Sequence, residues 1–225
     1  MNDLPLVRAR GLARTFGAGP TAIVAVHGVT CELYRGQQVA LTGPSGSGKT
    51  TLLHLLAGLD APTAGSVEWP AIGGLADLRP GPIAVVFQAT SLLPPLDVVE
   101  NVALPMLLRG ANPRTARAGA LAALDRLGIE SLASRLPEEL SGGQAQRVAV
   151  ARALAGNPSL IFADEPTGQL DQASGVLVVD ALIEAASAIE AALIVNTHDP
   201  AIAERFGIRW AMMSGRLSQN STTRC

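Results

Sequence analysis

Cysteine is almost missing from this chain: Cys31 sits inside an apolar, strand-like stretch and Cys225 ends the sequence. Two thiols so placed build no disulfide framework, which points to a reducing compartment. Also missing is any run of about 18 or more apolar residues, the length a helix needs to cross a bilayer. Met1 to Pro5 lacks a basic segment leading into an apolar stretch, so neither a secretion signal nor a membrane span is expected. Any membrane role then falls to another chain. Positive charge is not in surplus, since 17 Lys and Arg face 19 Asp and Glu for a formal net charge of -2. Polyphosphate backbones attract basic surfaces, so no nucleic-acid partner is expected. What the chain has in quantity is apolar side chains, 48% of 225 residues, enough for one large core or two small ones.

The order of local signals predicts an α/β fold. Short strand-like runs broken by turns occupy Leu6 to Leu33 and predict an antiparallel sheet. Val39–Thr42 reads as a buried strand entering a Gly-rich loop, followed by a helix from Thr50 to Leu59 that ends near Gly58. The Gly- and Pro-rich segment Asp60 to Pro82 reads as irregular, and Ile83–Phe87 as a strand that delivers Gln88. From Leu92 to Gly156 the pattern turns helical, with Leu121, Leu124 and Leu127 at three-residue intervals and a second helix from Gly143 to Ala155. Strand signals resume at Leu160–Ala163 and Leu193–Asn196 around an Ala-rich helix from Ser174 to Ala188, which implies a parallel sheet. A small hairpin from Trp210 to Leu217 and a polar tail from Ser218 close the chain. No internal repeat or long linker divides it.

The loop Gly43-Pro44-Ser45-Gly46-Ser47-Gly48-Lys49-Thr50 fits the pattern G-x-x-x-x-G-K-[ST]. A triphosphate needs many donors at close range. Gly43, Gly46 and Gly48 let the backbone curl so that its N–H groups face the phosphates, and the following helix adds its positive end. Lys49 carries charge to the outer phosphates, and the Thr50 hydroxyl suits magnesium, a hard cation that prefers oxygen. By itself such a loop is also an ordinary turn and helix start, but the apolar strand before it favours the phosphate role.

Asp164-Glu165 follows four apolar residues, which places two carboxylates at the C-terminal edge of a parallel strand, where open α/β sheets bind ligands. Asp164 is expected to hold magnesium through its hydration shell and Glu165 to act as general base on water. The plainer alternative is a turn start at Pro166-Thr167-Gly168. Gln88 and His198 also end apolar strands and are expected near the γ-phosphate, Gln88 beside metal and water, His198 as a donor; taken alone, each is as compatible with a structural role. Leu140-Ser141-Gly142-Gly143-Gln144 has the form of a capping box, with Ser141 and Gln144 three residues apart. Its glycines beside a helix N-terminus also make a second anion-binding surface, remote in sequence from the first. Two half-sites on one chain imply a dimer in which each chain completes the other's ATP site.

These ordered elements together resemble the ATP-binding-cassette (ABC) transporter ATPase subunits, over nearly the whole chain. The resemblance assigns Gly43 to Thr50 as Walker A, Gln88 as the Q-loop, Leu140 to Gln144 as the signature, Leu160 to Asp164 with Glu165 as Walker B, Gln169-Leu170-Asp171 as the D-loop and His198 as the switch. It implies a P-loop NTPase nucleotide-binding domain with an antiparallel β subdomain, a parallel-sheet core formed by residues 1–88 and 158–225, and an inserted α-helical subdomain over 89–157. It also implies ATP and Mg2+ as cofactors. Thr51 joins the nucleotide-binding set, with Gly142, Gln144 and Asp171, and Thr50, Gln88 and Asp164 serve the metal. Two subunits then sandwich two ATP molecules, Ser141 and Gly143 of one reaching the γ-phosphate held by the other, and hydrolysis opens this homodimer. Phe16 resembles the aromatic that stacks on adenine. A core or surface Phe is the competing reading, although aromatics make up only 3% of the chain.

Within the family, Leu53 to Asp60, Asn101 to Pro105 and Ala163 to Gly168 resemble the subgroup that serves lipoprotein release and macrolide export. Two departures stand out: Ser66 to Pro82 is short for that subgroup, which bears on the partner-facing surface, and Gln169 stands where a small residue or Asn is common, which bears on communication between ATP sites. The resemblance implies a cytoplasmic ATPase held peripherally on the inner face of the cell membrane by a separate transmembrane permease. Leu92 to Leu108 would line the groove for it, unless Val98, Val102 and Leu107 are ordinary core. A transmembrane signalling ATPase that controls cell-wall hydrolysis would use the same engine. A DNA-repair or chromosome-organising ATPase is disfavoured because no heptad run or cysteine cluster lies between Thr50 and Leu140. Phosphate-loop kinases have no use for Leu140 to Gln144.

Overall fold

The computed structural model describes residues 4–221, so Cys225 and Met1 to Asp3 lie outside the described residues. Strand β1, the ten residues Val7–Phe16, pairs antiparallel with β2, Ile23–Leu33, on one side and with β4, Ala64–Glu68, on the other. A second sheet of six strands runs β5 (Ile83–Val86), β6 (Leu160–Asp164), β7 (Ala192–Asn196), β3 (Gln38–Thr42), β8 (Ile208–Met213) and β9 (Arg216–Ser221). All its pairings are parallel except the terminal hairpin of β8 and β9.

The continuous apolar runs of β6 and β7 reflect a sheet covered on both faces. Side chains alternate between two cores: Leu160, Phe162, Ala192 and Ile194 face one, Ile161, Ala163, Leu193 and Val195 the other. The first core is closed by α1 (Lys49–Leu56) and the antiparallel sheet. The second is closed by α2 (Val98–Leu108), α3 (Pro113–Arg126), α4 (Gly142–Leu154) and α5 (Gln172–Ala188), with the one-turn helix α6 (Pro200–Ala203) at its edge. Helices α2 to α4 are inserted in sequence between β5 and β6. Cys31 lies in the first core, and burial, reinforced by the charge of Glu32, pushes its thiol up to about 12, so it stays neutral and unreactive.

Three expectations need correction. The segment Asp60 to Pro82 is not irregular throughout, because β4 forms in it; its sequence AGSVE has little intrinsic strand preference, and pairing with β1 supplies what propensity lacks. Gly65 in β4 has φ +77 and lies so close to the backbone of Gly11 that a side chain would collide with it. The polar tail does not start at Ser218: β9 continues to Ser221 because Ser218 and Gln219 pair with Ala211 and Trp210. The helix expected from Gly143 begins one residue earlier, at Gly142.

Val98 and Val102 are both 0% exposed and belong to the second core, while Leu107 is 39% exposed. The choice between groove and core for these three is therefore split, with only the C-terminal end of α2 left open.

Candidate functional site

The Gly-rich loop joins β3 to α1 and is held from both sides by neighbouring strands. Gly43 (φ +144) and Gly48 (φ +98) have left-handed backbone, and a Cβ at either would overlap a carbonyl oxygen, that of Met212 in β8 and that of Ala25 in β2 respectively. Gly48 is also the N-cap of α1, whose first N–H groups open into the loop. Lys49 is buried, and its Nζ donates to the carbonyls of Gly43 and Pro44 at 2.9 and 3.0 Å, pinning the loop around the ammonium. A cleft of about 210 Å³ is lined by Ala25, Ser45, Gly46, Gly48, Lys49, Thr50, Thr51 and Glu165. Ser47 of the same loop is buried, and its Oγ has no hydrogen-bond partner.

At the far side of the loop three side chains surround a fourth, that of Asp164. Thr50 Oγ1 donates to Asp164 Oδ1 at 3.0 Å, and Asn196 Nδ2 donates to the same oxygen at 2.5 Å. His54 Nε2 stands 3.8 Å from Asp164 Oδ2. These oxygens belong to the hard donor class that suits magnesium. Among the described residues there is no cluster of three or more His, Cys, Asp or Glu of the kind that holds a metal by protein ligands alone.

Glu165, one residue beyond β6, has φ +46, a conformation a non-glycine residue adopts only when its surroundings impose it. The surroundings here are two backbone bonds: Glu165 N–H donates to the carbonyl of Asn196, and its carbonyl accepts from Gly168 N–H, each at 3.0 Å. The carboxylate thereby faces the loop, with Oε2 3.5 Å from Nδ1 of His198, whose side chain is 65% exposed. Gln88 is exposed and lies against Gly168, where a Cβ would come 2.8 Å from its Nε2. Lys49, Thr50, Thr51, Asp164, Glu165 and His198 are thus gathered around one loop, while Gln88 lies against Gly168 in the turn that follows Glu165.

The signature residues lie elsewhere. Ser141 and Gln144 form the expected capping box: Ser141 N–H donates to Gln144 Oε1 at 2.9 Å, and Gln144 N–H donates to Ser141 Oγ at 3.3 Å. Ser141, Gly142 and Gly143 line a separate cleft of about 340 Å³ with Arg147, Gln169, Leu170 and Asp171. Asp171 caps α5 by accepting the N–H of Ser174 at 3.0 Å, and hydrogen bonding from Ser174 holds its carboxyl below the ordinary range. The linings of this cleft and of the Gly-rich cleft share no residue. Phe16, 43% exposed at the end of β1, is not a core residue; the guanidinium of Arg14 stacks 4.7 Å from its ring centroid.

The chain matches the ABC transporter family over residues 26–168. It belongs to the ABC transporter family. The lipoprotein-releasing system ATP-binding protein LolD of Legionella pneumophila (strain Paris) is 40% identical, covering 96% of this chain and 98% of that protein. LolD of Hydrogenovibrio crunogenus is also 40% identical, covering 99% and 100%. Among solved structures, the ATP-binding cassette MJ0796, dimeric in a post-hydrolysis state bound to ADP and Pi, superposes with a TM-score of 0.86 at 34% identity, covering 97% of this chain and 100% of that one. The chain is accordingly an ABC-type ATPase that binds and hydrolyses ATP.

Three side chains near these groups carried no legible signal beyond being polar in apolar surroundings. Asn196 and His54 flank Asp164, as above. Gln146, buried in α4, donates through Nε2 to the carbonyl of Phe87 at 3.3 Å and so ties the signature helix to the segment bearing Gln88.

Replacing Lys49 with Ala removes the ammonium and both of its loop contacts. Titration with a fluorescent ATP analogue is expected to show affinity reduced by about 10-fold or more, the worth of a charge-assisted hydrogen bond or two. Unaltered affinity would remove the phosphate-binding role from this loop.

Proposed function

We propose that this chain is the ATP-hydrolysing subunit of a transporter complex, working as a homodimer around two Mg2+-bound ATP molecules and driving a separate transmembrane permease for lipoprotein release. The observation that carries the reading is the separation of the two anion-binding surfaces. Each chain offers a Gly-rich cleft bearing the hydrolytic groups and a distinct Ser141–Gly143 cleft with a helix N-terminus, so one ATP needs both surfaces and the second comes from another copy.

Backbone N–H groups of Gly46 to Thr50 and the Lys49 ammonium hold the triphosphate. Ser141 and Gly143 of the partner copy complete the cage, and Thr51 and Phe16 serve the rest of the nucleotide, the ring of Phe16 stacking on adenine. Thr50, Gln88 and Asp164 would hold magnesium, which would supply positive charge against that of the phosphates. Glu165 takes the proton of the attacking water, and His198 steadies its carboxylate and donates toward the γ-phosphate. Gln169, Leu170 and Asp171, lining the signature cleft, carry the state of one ATP site to the other.

The permease engages a cleft of about 510 Å³ between β5, the open end of α2 and the end of α4, lined among others by Phe87, Leu104, Pro105 and Leu108. Gln146 and Arg152 of α4 bond the backbone of Phe87, Thr90 and Ser91, so displacement of the signature helix moves the wall of this cleft. Residues 89–157 would then act as a helical unit against a core of 1–88 and 158–225. No helix of the described residues is long and apolar enough to cross a membrane. In this reading the chain is a peripheral subunit held at the inner face through its permease. The naming of the LolD relatives as parts of a lipoprotein-releasing system supports lipoprotein as the substrate class.

Two experiments test this. Ser141→Arg places a cation and bulk at the signature cleft, and light scattering with ATP is expected to show monomers where the parent protein dimerises; an ATP-dependent dimer in the variant would sink the shared-site reading. Affinity purification of Glu165→Gln from native membranes with ATP and Mg2+ is expected to recover a multi-span protein. Recovery of soluble chains alone would overturn the permease assignment.

A further inference from the structure

Strand β7 is aliphatic from Ala192 to Val195 and then ends on an amide. Asn196 is 0% exposed, and burial of an amide is unfavourable unless its donors and acceptor are met. They are met on one side only. Its Nδ2 donates to Asp164 Oδ1 at 2.5 Å and lies 3.4 Å from Thr50 Oγ1, whereas its Oδ1 has no hydrogen-bond partner. The amide cannot turn over to relieve that oxygen, because Oδ1 would then face the carboxylate of Asp164, acceptor against acceptor. A hydrocarbon of similar size would suit the surrounding core better, so the amide serves something other than packing.

Its contacts identify what. Asp164 Oδ1 accepts from two donors set on different strands and helices, Thr50 of α1 and Asn196 of β7, and two such bonds fix the plane of a carboxylate that one would leave free to rotate. The other oxygen, Oδ2, has only His54 Nε2 at 3.8 Å, beyond hydrogen-bond range. The backbone carbonyl of the same Asn196 receives the N–H of Glu165 and helps hold that residue in its left-handed conformation. We propose that Asn196 is a positioning residue for the hydrolytic centre: its side chain orients Asp164 toward the metal, while its main chain aims Glu165 at the water. The inference rests on the reading of Thr50 and Asp164 as holders of magnesium. Residues that orient metal ligands without touching the metal are commonly worth about 10- to 100-fold in metal affinity.

The test separates metal affinity from nucleotide affinity. A fluorescent ATP analogue is titrated into the full chain once in EDTA and once in MgCl2, and the ratio of the two affinities reports the contribution of the metal. Asn196→Leu keeps the branched heavy-atom shape, at somewhat larger volume, and removes the donor. It is expected to leave affinity in EDTA unchanged and to cut the magnesium-dependent gain by about 10-fold or more. Asn196→Ala, smaller and free of any overpacking, is expected to show the same split, and it carries the test if the Leu variant does not fold. Asp164→Asn is run alongside and should abolish the gain. If Asp164→Asn abolishes it while both Asn196 variants retain it, the positioning role is overturned and the magnesium reading stands. If Asp164→Asn retains the gain, the magnesium reading itself is wrong and the proposal goes with it. Equal losses in EDTA and in MgCl2 for the Asn196 variants would show a merely structural residue.

Discussion

Glu165→Gln is expected to bind ATP as the parent does and to turn it over about 10²- to 10⁴-fold more slowly, the usual share of a general base. The substitution keeps the shape of the side chain and both backbone bonds that set its left-handed conformation, so Asn196 O and Gly168 N–H still hold the segment. What it removes is the capacity to take a proton. The carboxylate lines the Gly-rich cleft and stands 3.5 Å from His198, the only place in that lining where a carboxylate faces the phosphate loop. Because binding and turnover are predicted to part company, the two must be measured on one preparation, by nucleotide titration and by phosphate release. A Glu165→Gln protein with the parental rate would falsify the general-base assignment. Accumulation of an ATP-bound dimer by light scattering is the companion result, since the step that reopens the dimer would be missing.

Gly48→Ala is expected to be as damaging for a different reason. At φ +98 an L-residue is disfavoured by about 1–2 kcal/mol before any contact is considered. The added methyl would also overlap the carbonyl oxygen of Ala25, a main-chain atom of β2 that cannot swing aside as a side chain would. Relief requires the loop to leave β2, and with it the N-terminus of α1 and the Lys49 contacts move. A loss of about 3 kcal/mol or more follows, a lowering of Tm by roughly 6–12 °C for a chain of this size. ATP affinity should fall with it, and calorimetry with and without nucleotide should show the stabilisation by ATP largely gone. Gly46→Ala is the control: its φ is +74 but a Cβ there meets nothing within 4 Å, so it is expected to lower Tm far less. Equal effects at the two positions would mean that backbone conformation, not the approach of β2, sets the requirement.

The sequence by itself determined the local structure that is contiguous along the chain. Walker A, the capping box at Ser141 and Gln144, and the two carboxylates after Leu160–Ala163 each act through neighbours in sequence, so turn, cap and strand-end rules expose them. Strands buried on both faces were legible for the same reason, as unbroken apolar runs. Tertiary structure decided whatever depends on partners distant in sequence. The pairing that turns Ala64–Glu68 into β4 comes from β1, and the extension of β9 to Ser221 comes from β8. Val98 and Val102 are core while Leu107 is open because the turn of α2 points them differently, which composition cannot tell. The need for glycine at 48 is set by Ala25, more than twenty residues earlier. Asn196 looked like the polar end of a strand, and only the parallel pairing of β7 with both β3 and β6 sets its amide beside Asp164 at the end of one strand and Thr50 after the other. Local rules read bonds along the chain; the placing of Asn196, Asp164, Thr50 and Glu165 against one another is made by bonds across it.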